Sequence, residues 1–219
     1  MSKRKSSTLL EKKPKHLKSN YTQKNNDLEK EYFRKIFEQI TEESFQHLPG
    51  VSLVLDHENG VLEKLIKKLP HEKLLTVNCD VQQYNHLSKT YEKVGVYFNL
   101  LGTFLEEYKS FLPLSTIWLD YEITYGGNKQ KKMFPKKDLL YLFNEKLLLD
   151  GAHVMLTVSL RHKNNQNIKS IIYSDLRKVC KRNNYRFYKK GAKRYRENSM
   201  LCIWFQVKKN MNFIIKKNE

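Results

Sequence analysis

From Val51 onward, short apolar and β-branched runs take turns with stretches of helical periodicity, and this alternation limits what the 219-residue chain can fold into more than any other feature. Residues 51–55, 73–78, 94–98, 116–121 and 153–160 read as strands, while 61–69, 81–91, 101–111, 136–149 and 168–183 read as helices. Five strand–helix units in succession predict a parallel sheet covered on both faces by helices. The habit then changes. Residues 185–188 and 200–207 read as two further strands joined by a basic connection with no helix between them, so they are expected to pair as an antiparallel hairpin.

Upstream of the alternation, Leu28, Tyr32, Phe33, Ile36, Phe37 and Ile40 recur at helical spacing. They predict an amphipathic helix over 27–48, ended by Leu48-Pro49-Gly50 and packed on the flank of the fold. Residues 1–26 are polar and basic without apolar periodicity and are expected to form a disordered arm; 210–219 form a basic tail after the α/β domain of 49–209. A composition of 40% hydrophobic and 12% aromatic residues suits a packed core. No apolar run approaches the roughly 18 residues of a membrane span, and the N-terminus lacks the apolar stretch of a secretory signal. An intracellular protein with no membrane partner is expected, and the patterns KRK and KKPK point weakly to the nucleus. Cys79, Cys180 and Cys202 stand too far apart for a metal knuckle or a disulfide framework, so they are read as reduced, buried thiols.

The formal net charge is +18, and it is clustered. Residues 1–24 hold eight Lys or Arg, among them Lys3, Arg4, Lys5, Lys12, Lys13 and Lys15, against the single acid Glu11. Residues 181–196 hold eight more, Lys181, Arg182, Lys189, Lys190, Lys193, Arg194 and Arg196 included, against none. A surface so rich in cations gains free energy by releasing the counterions of a polyanion, and nucleic acid is the expected partner, DNA before RNA. Tyr185, Phe187, Tyr188 and Tyr195 interleave with the second cluster, as in proteins that stack on bases while holding phosphates. The competing reading is an AT-rich coding composition that merely keeps the protein soluble, but charge of that origin would be spread more evenly.

Five strand–helix units closed by a β-hairpin resemble the class I S-adenosylmethionine-dependent methyltransferases, over roughly residues 50–209. The resemblance implies an α/β, Rossmann-like fold with a mostly parallel seven-stranded sheet ending in an antiparallel hairpin and helices on both faces. It also implies where a cofactor would lie. The family's first strand ends in an acid and a glycine-rich loop, whereas here the sequence is Asp56-His57-Glu58-Asn59-Gly60. Side chains at His57 and Glu58 would crowd the cofactor and forbid the positive φ that glycine allows. Asp56 is better read as a carboxylate capping the following helix than as a ligand. Asn78 or Asp80 stands where the family holds a ribose, and Asn99 where it holds an adenine edge.

The family's amino-methylating members end the fourth strand in an (N/D)PP(Y/F/W) tetrad. This chain has Asp120-Tyr121-Glu122-Ile123 there, which keeps an acid and an aromatic but loses both prolines. Residues two apart on a strand share a face, so Asp120 and Glu122 form a carboxylate pair, but no further ligand completes a metal shell. The expectation is therefore a methyltransferase-like protein without catalysis and without cofactor. It resembles in size, basicity and degraded motifs the small accessory subunits of eukaryotic multi-subunit DNA N6-adenine methyltransferases, which would make catalytic methyltransferase subunits its partners. The alternative is an active S-adenosylmethionine-dependent methyltransferase with a divergent loop, using Asp120 and Tyr121 on nucleic acid or a basic protein.

Overall fold

The computed structural model describes residues 20–55, 60–109, 113–161 and 167–210, with side chains from Leu28 onward. The elements run α1 (Asn20–His47), β1 (Val51–Val54), α2 (Leu62–Leu65), β2 (Leu74–Asn78), α3 (Val81–Thr90), β3 (Gly95–Phe98), α4 (Leu101–Tyr108), β4 (Leu114–Asp120), α5 (Pro135–Asn144), β5 (Leu148–Ser159), α6 (Ile168–Arg182), β6 (Tyr185–Tyr195) and β7 (Met200–Lys209). They build one seven-stranded sheet in the order β3-β2-β1-β4-β5-β7-β6. β1 to β5 pair in parallel, and β7 lies antiparallel between β5 and β6. This is the arrangement that five strand–helix units followed by a hairpin predict.

Pleating sends alternate residues of each strand to opposite faces, and each face packs a different set of helices. Leu53, Ile117, Leu119, Val154, Leu156 and Ile203 join one core with residues of α4, α5 and α6. Val54, Trp118, Met155 and Cys202 join a second with Phe33 and Phe37 of α1 and residues of α2 and α3. The α1 side also carries hydroxyls. Thr116 donates to Ser52 Oγ at 2.7 Å, Thr41 lies 3.3 Å from Thr116 Oγ1, and Ser44 meets His153 Nδ1 at 3.1 Å.

Several boundaries depart from the periodicity. α1 begins at Asn20 rather than Asp27, since no glycine or proline interrupts the helix before the residues that anchor it. Its buried stripe is Lys30, Phe33, Phe37, Thr41 and Ser44, while Leu28 and Tyr32 are exposed. The apolar pattern found Phe33 and Phe37, with Ile36 packed beside them, but included the exposed Leu28 and Tyr32 and missed Lys30, Thr41 and Ser44, because small polar and one basic residue belong to the core face. The helix expected over 61–69 is regular only at Leu62–Leu65. α5 ends at Asn144, and Lys146, at a φ of 56°, turns the chain so that Leu148 already enters β5.

The basic connection expected after residue 188 is a strand. β6 pairs with β7 as far as Tyr195↔Met200, leaving only residues 196–199 as the turn. A bulge between Lys189 and Gly191 shifts the register. By simple alternation Tyr185, Phe187 and Tyr195 would share a face; the extra residue flips the second half, so Tyr185 and Phe187 pack toward α6 and α5 while Tyr195 packs against Phe33 of α1.

Candidate functional site

Open parallel sheets bind ligands beyond the carboxyl ends of their strands, at the point where the strand order reverses direction. Here that point lies between β1 and β4. A cavity of about 530 Å³ opens there, walled by Leu55 after β1, Asn78 and Cys79 after β2, Asn99 to Thr103 after β3, Asp120 to Ile123 after β4, the 131–134 segment, and the first turn of α5. The volume is within the usual range for a small-molecule site.

The side chains proposed from the sequence meet different fates. Asp56 with His57, Glu58 and Asn59 lies outside the described residues. Gly60 is buried and does not wall the cavity. Asn78 does, and its Oδ1 accepts the Asp80 N–H at 2.8 Å. Asp80 is the N-cap of α3: its Oδ1 accepts the backbone N–H groups of Gln82 and Gln83 at 2.9 and 3.1 Å, a structural use of the carboxylate. Asn99 also walls the cavity, with Nδ2 donating to Glu107 at 3.0 Å and Oδ1 accepting from Leu100 N–H at 2.8 Å.

The tetrad position is the most informative, and the pleat explains it. Asp120 is on the α1 side of β4, and there the Lys30 ammonium sits 3.0 Å from its Oδ2, both side chains less than a tenth exposed. Tyr121 is on the opposite side, buried, and its hydroxyl donates to the Asp138 carboxylate of α5. Burial pushes the Asp138 carboxyl up against the opposing pull of Tyr121 and Lys137, and burial with the neighbouring Asp138 holds the Tyr121 phenol well above its usual range. Glu122 returns to the α1 side and meets the Arg196 guanidinium at 3.1 Å. Asp120 and Glu122 do share a side, as the spacing predicts, but each faces its own cation rather than a shared ligand.

Arg196 is thereby tied into the protein. It opens a turn in which Arg196, Glu197 and Asn198 all lie in the left-handed region, at φ of 49°, 54° and 63°, a costly run for residues other than glycine. Glu29 of α1 accepts the Arg196 N–H at 2.7 Å and helps hold it. Lys181 and Arg182 form the last turn of α6, where cations also offset the helix dipole. Lys189, Lys190, Lys193 and Arg194 are exposed on β6, with Lys189 over the Tyr173 ring at 4.4 Å and Lys193 over Tyr32 at 4.3 Å. Since β6 is the outer strand, lysines and a bulge there also serve to block edge-to-edge pairing, a structural role that sequence alone had not suggested. Lys3, Arg4, Lys5, Lys12, Lys13 and Lys15 lie outside the described residues, as do 211–219 of the tail. Cys79, expected to be buried, is exposed at the cavity wall; Cys180 and Cys202 are buried thiols, the first pushed up to about 12 by burial.

Lys30, Asp138, Lys131 and Lys132 were missed. A lysine at i and phenylalanines at i+3 and i+7 share a helix face, so Lys30 beside Phe33 and Phe37 was the available signal. Asp138 carried none, because only the three-dimensional meeting of β4 and α5 brings it to Tyr121. Among the described residues, no helix is long and apolar enough to cross a membrane.

No family model matches the chain, and no curated protein matches its sequence. Solved structures do match in shape. Magnesium protoporphyrin IX methyltransferase (ChlM) from Synechocystis PCC 6803, with bound SAH, aligns at a TM-score of 0.57 and 10% identity over 87% of this chain and 89% of that one. The plantazolicin methyltransferase BamL, in complex with a triazolic desmethylPZN analog and SAH, aligns at 0.57 and 11% identity over 88% and 90%. At such identities the likeness establishes the fold alone: this is a Rossmann-like class I methyltransferase fold.

S-adenosylmethionine carries a carboxylate as well as a sulfonium and an ammonium, so a site that holds it is served by both carboxylates and cations. Four carboxylates wall the cavity among the described residues, and each is engaged: Asp120 by Lys30, Glu122 by Arg196, Asp138 by Tyr121, and Glu106 by Lys137 at 3.8 Å.

Proposed function

We propose that this chain is a non-catalytic, methyltransferase-like protein that binds nucleic acid and acts as an accessory subunit to a catalytic, DNA adenine-directed methyltransferase. The buried Lys30–Asp120 pair carries the reading. Orienting an amine for methylation requires an acceptor aimed at the substrate, and here the acid at that position is neutralised by a helix of its own chain. The adjacent tyrosine is turned inward onto Asp138, and the adjacent Glu122 is held by Arg196. Exposed cations on β6 and at the end of α6 supply the phosphate-binding surface, with DNA the preferred polyanion and the nucleus the expected compartment. Its opposite, an active S-adenosylmethionine-dependent enzyme, is favoured by one observation, the open cavity at the strand ends.

Methyl transfer from labelled S-adenosylmethionine to single-stranded DNA, duplex DNA and RNA separates the two. The purified chain is expected to transfer nothing above a protein-free control. Transfer that vanishes in Asp120→Asn, with the far-UV circular dichroism unchanged, would overturn the non-catalytic reading.

A further inference from the structure

The lysines at the cavity mouth are arranged differently from its acids. Lys131 and Lys132 belong to the loop between β4 and α5, and both wall the cavity. No ion pair between described residues involves either one. The loop that carries them is closed on itself. Asn128 and Met133 exchange backbone hydrogen bonds of 2.8 and 3.2 Å, and Asn128 Oδ1 accepts the Lys131 N–H at 2.9 Å. Gly127, at a φ of 95°, lets the strands of this turn approach so closely that a Cβ would lie 2.5 Å from the Met133 carbonyl oxygen.

Among the described residues Asp120, Glu122 and Glu106 each face a cation and Asp138 is held by the neutral Tyr121 phenol, whereas the two loop ammonium groups have no ion-pair partner. An opening of about 530 Å³ with an apolar wall and unmatched cations at its mouth selects for a ligand that is flat and apolar at one end and anionic at the other. We propose that the cavity takes a nucleoside phosphate, with the phosphate held by Lys131 and Lys132 and the base lying against Leu101, Met133 and Phe134. Asn78 and Asn99 stand at the ends of β2 and β3 within the same wall. The shared chemistry has two sources, a free mononucleotide or a nucleotide unit of a nucleic-acid strand. The inference rests on the reading that this cavity does not serve methyl transfer.

Calorimetric titration of the full chain with AMP, adenosine, S-adenosylmethionine and a single-stranded oligonucleotide tests it, with Lys131→Gln/Lys132→Gln and, as a control for surface charge, Lys89→Gln/Lys93→Gln, two exposed lysines outside the cavity and off β6. AMP is expected to bind at least tenfold tighter than adenosine or S-adenosylmethionine, and to lose at least tenfold in Lys131→Gln/Lys132→Gln while the control is unchanged. Adenosine binding as tightly as AMP, AMP binding indifferent to the loop variant, or no AMP binding by the folded chain would each overturn the proposal. An oligonucleotide that displaces AMP assigns the site to a strand, and one that binds without displacing it assigns the site to the free nucleotide. Failure here leaves the transfer assay untouched: a chain that neither transfers methyl groups nor binds AMP remains non-catalytic.

Discussion

At the residue scale the Lys30–Asp120 pair decides most, because both partners are almost wholly withdrawn from water. Removing one partner of such a pair strands a charge where solvent cannot stabilise it, at a cost of about 3–5 kcal/mol, whereas replacing both is often near neutral. Lys30→Ala and Asp120→Ala are each expected to lower stability by that amount in urea unfolding, and Lys30→Met/Asp120→Asn to recover most of it. Single losses that simply add in the double variant would show that the two groups do not interact. A free, substrate-directed Asp120 predicts a much smaller loss for either single change. The pleat makes half of this site legible in sequence. Asp120, Tyr121 and Glu122 alternate sides on any strand, so their separation was readable; Lys30 shares a helix face with Phe33 and Phe37, but nothing in the sequence says that this face meets the end of β4.

At the scale of elements, the strands and the order of units were legible because their signal is local: five apolar runs separated by helical stretches fix the parallel sheet. The second half of β6 was not legible. Its residues come in pairs, Lys189-Lys190, Gly191-Ala192 and Lys193-Arg194, with no period of two, and the bulge at Lys189/Gly191 breaks the parity on which a strand reading depends. Gly191 marks that break, and the Trp204 indole fills the space above it so fully that a Cβ would fall 2.0 Å from the ring. Gly191→Ala must displace the indole from its packing against Phe33, with an expected cost of about 1–3 kcal/mol typical of overpacking. Gly126→Ala, with nothing within 4 Å of the added carbon, is the matched control and is expected to leave the melting temperature unchanged. Equal effects from the two would mean that β6 does not press on Trp204.

For the whole molecule, the +18 charge sets the behaviour, and it acts on the sheet as well as on any partner. Arg186 lies directly across from Lys208 in the β6–β7 ladder, and like charges at opposed positions cost stability unless an anion lies between or beside them. An exposed edge strand carrying Lys189, Lys190, Lys193 and Arg194 is thus both guarded against pairing and self-repelling. Arg196 is excluded from this group, since its guanidinium is held by Glu122. If the edge holds phosphates, log affinity for duplex DNA falls with log salt at about −0.9 per contact, and changing those four residues to Gln flattens the slope by up to about 3.6. The weakening is expected to be equal across sequences, because phosphate contacts position a protein without reading bases. Deleting residues 1–19, which removes six of the basic positions named at the N-terminus and leaves α1 whole, is expected to flatten it separately. Stability measured alongside gives an independent reading: duplex DNA at low salt raises the melting temperature of the parent chain by relieving Arg186 and Lys208, and raises that of the Gln variant less. Should the Gln variant keep the parent's salt slope and instead self-associate, the lysines of β6 serve only to guard the sheet edge, and the polyanion lies elsewhere on the molecule.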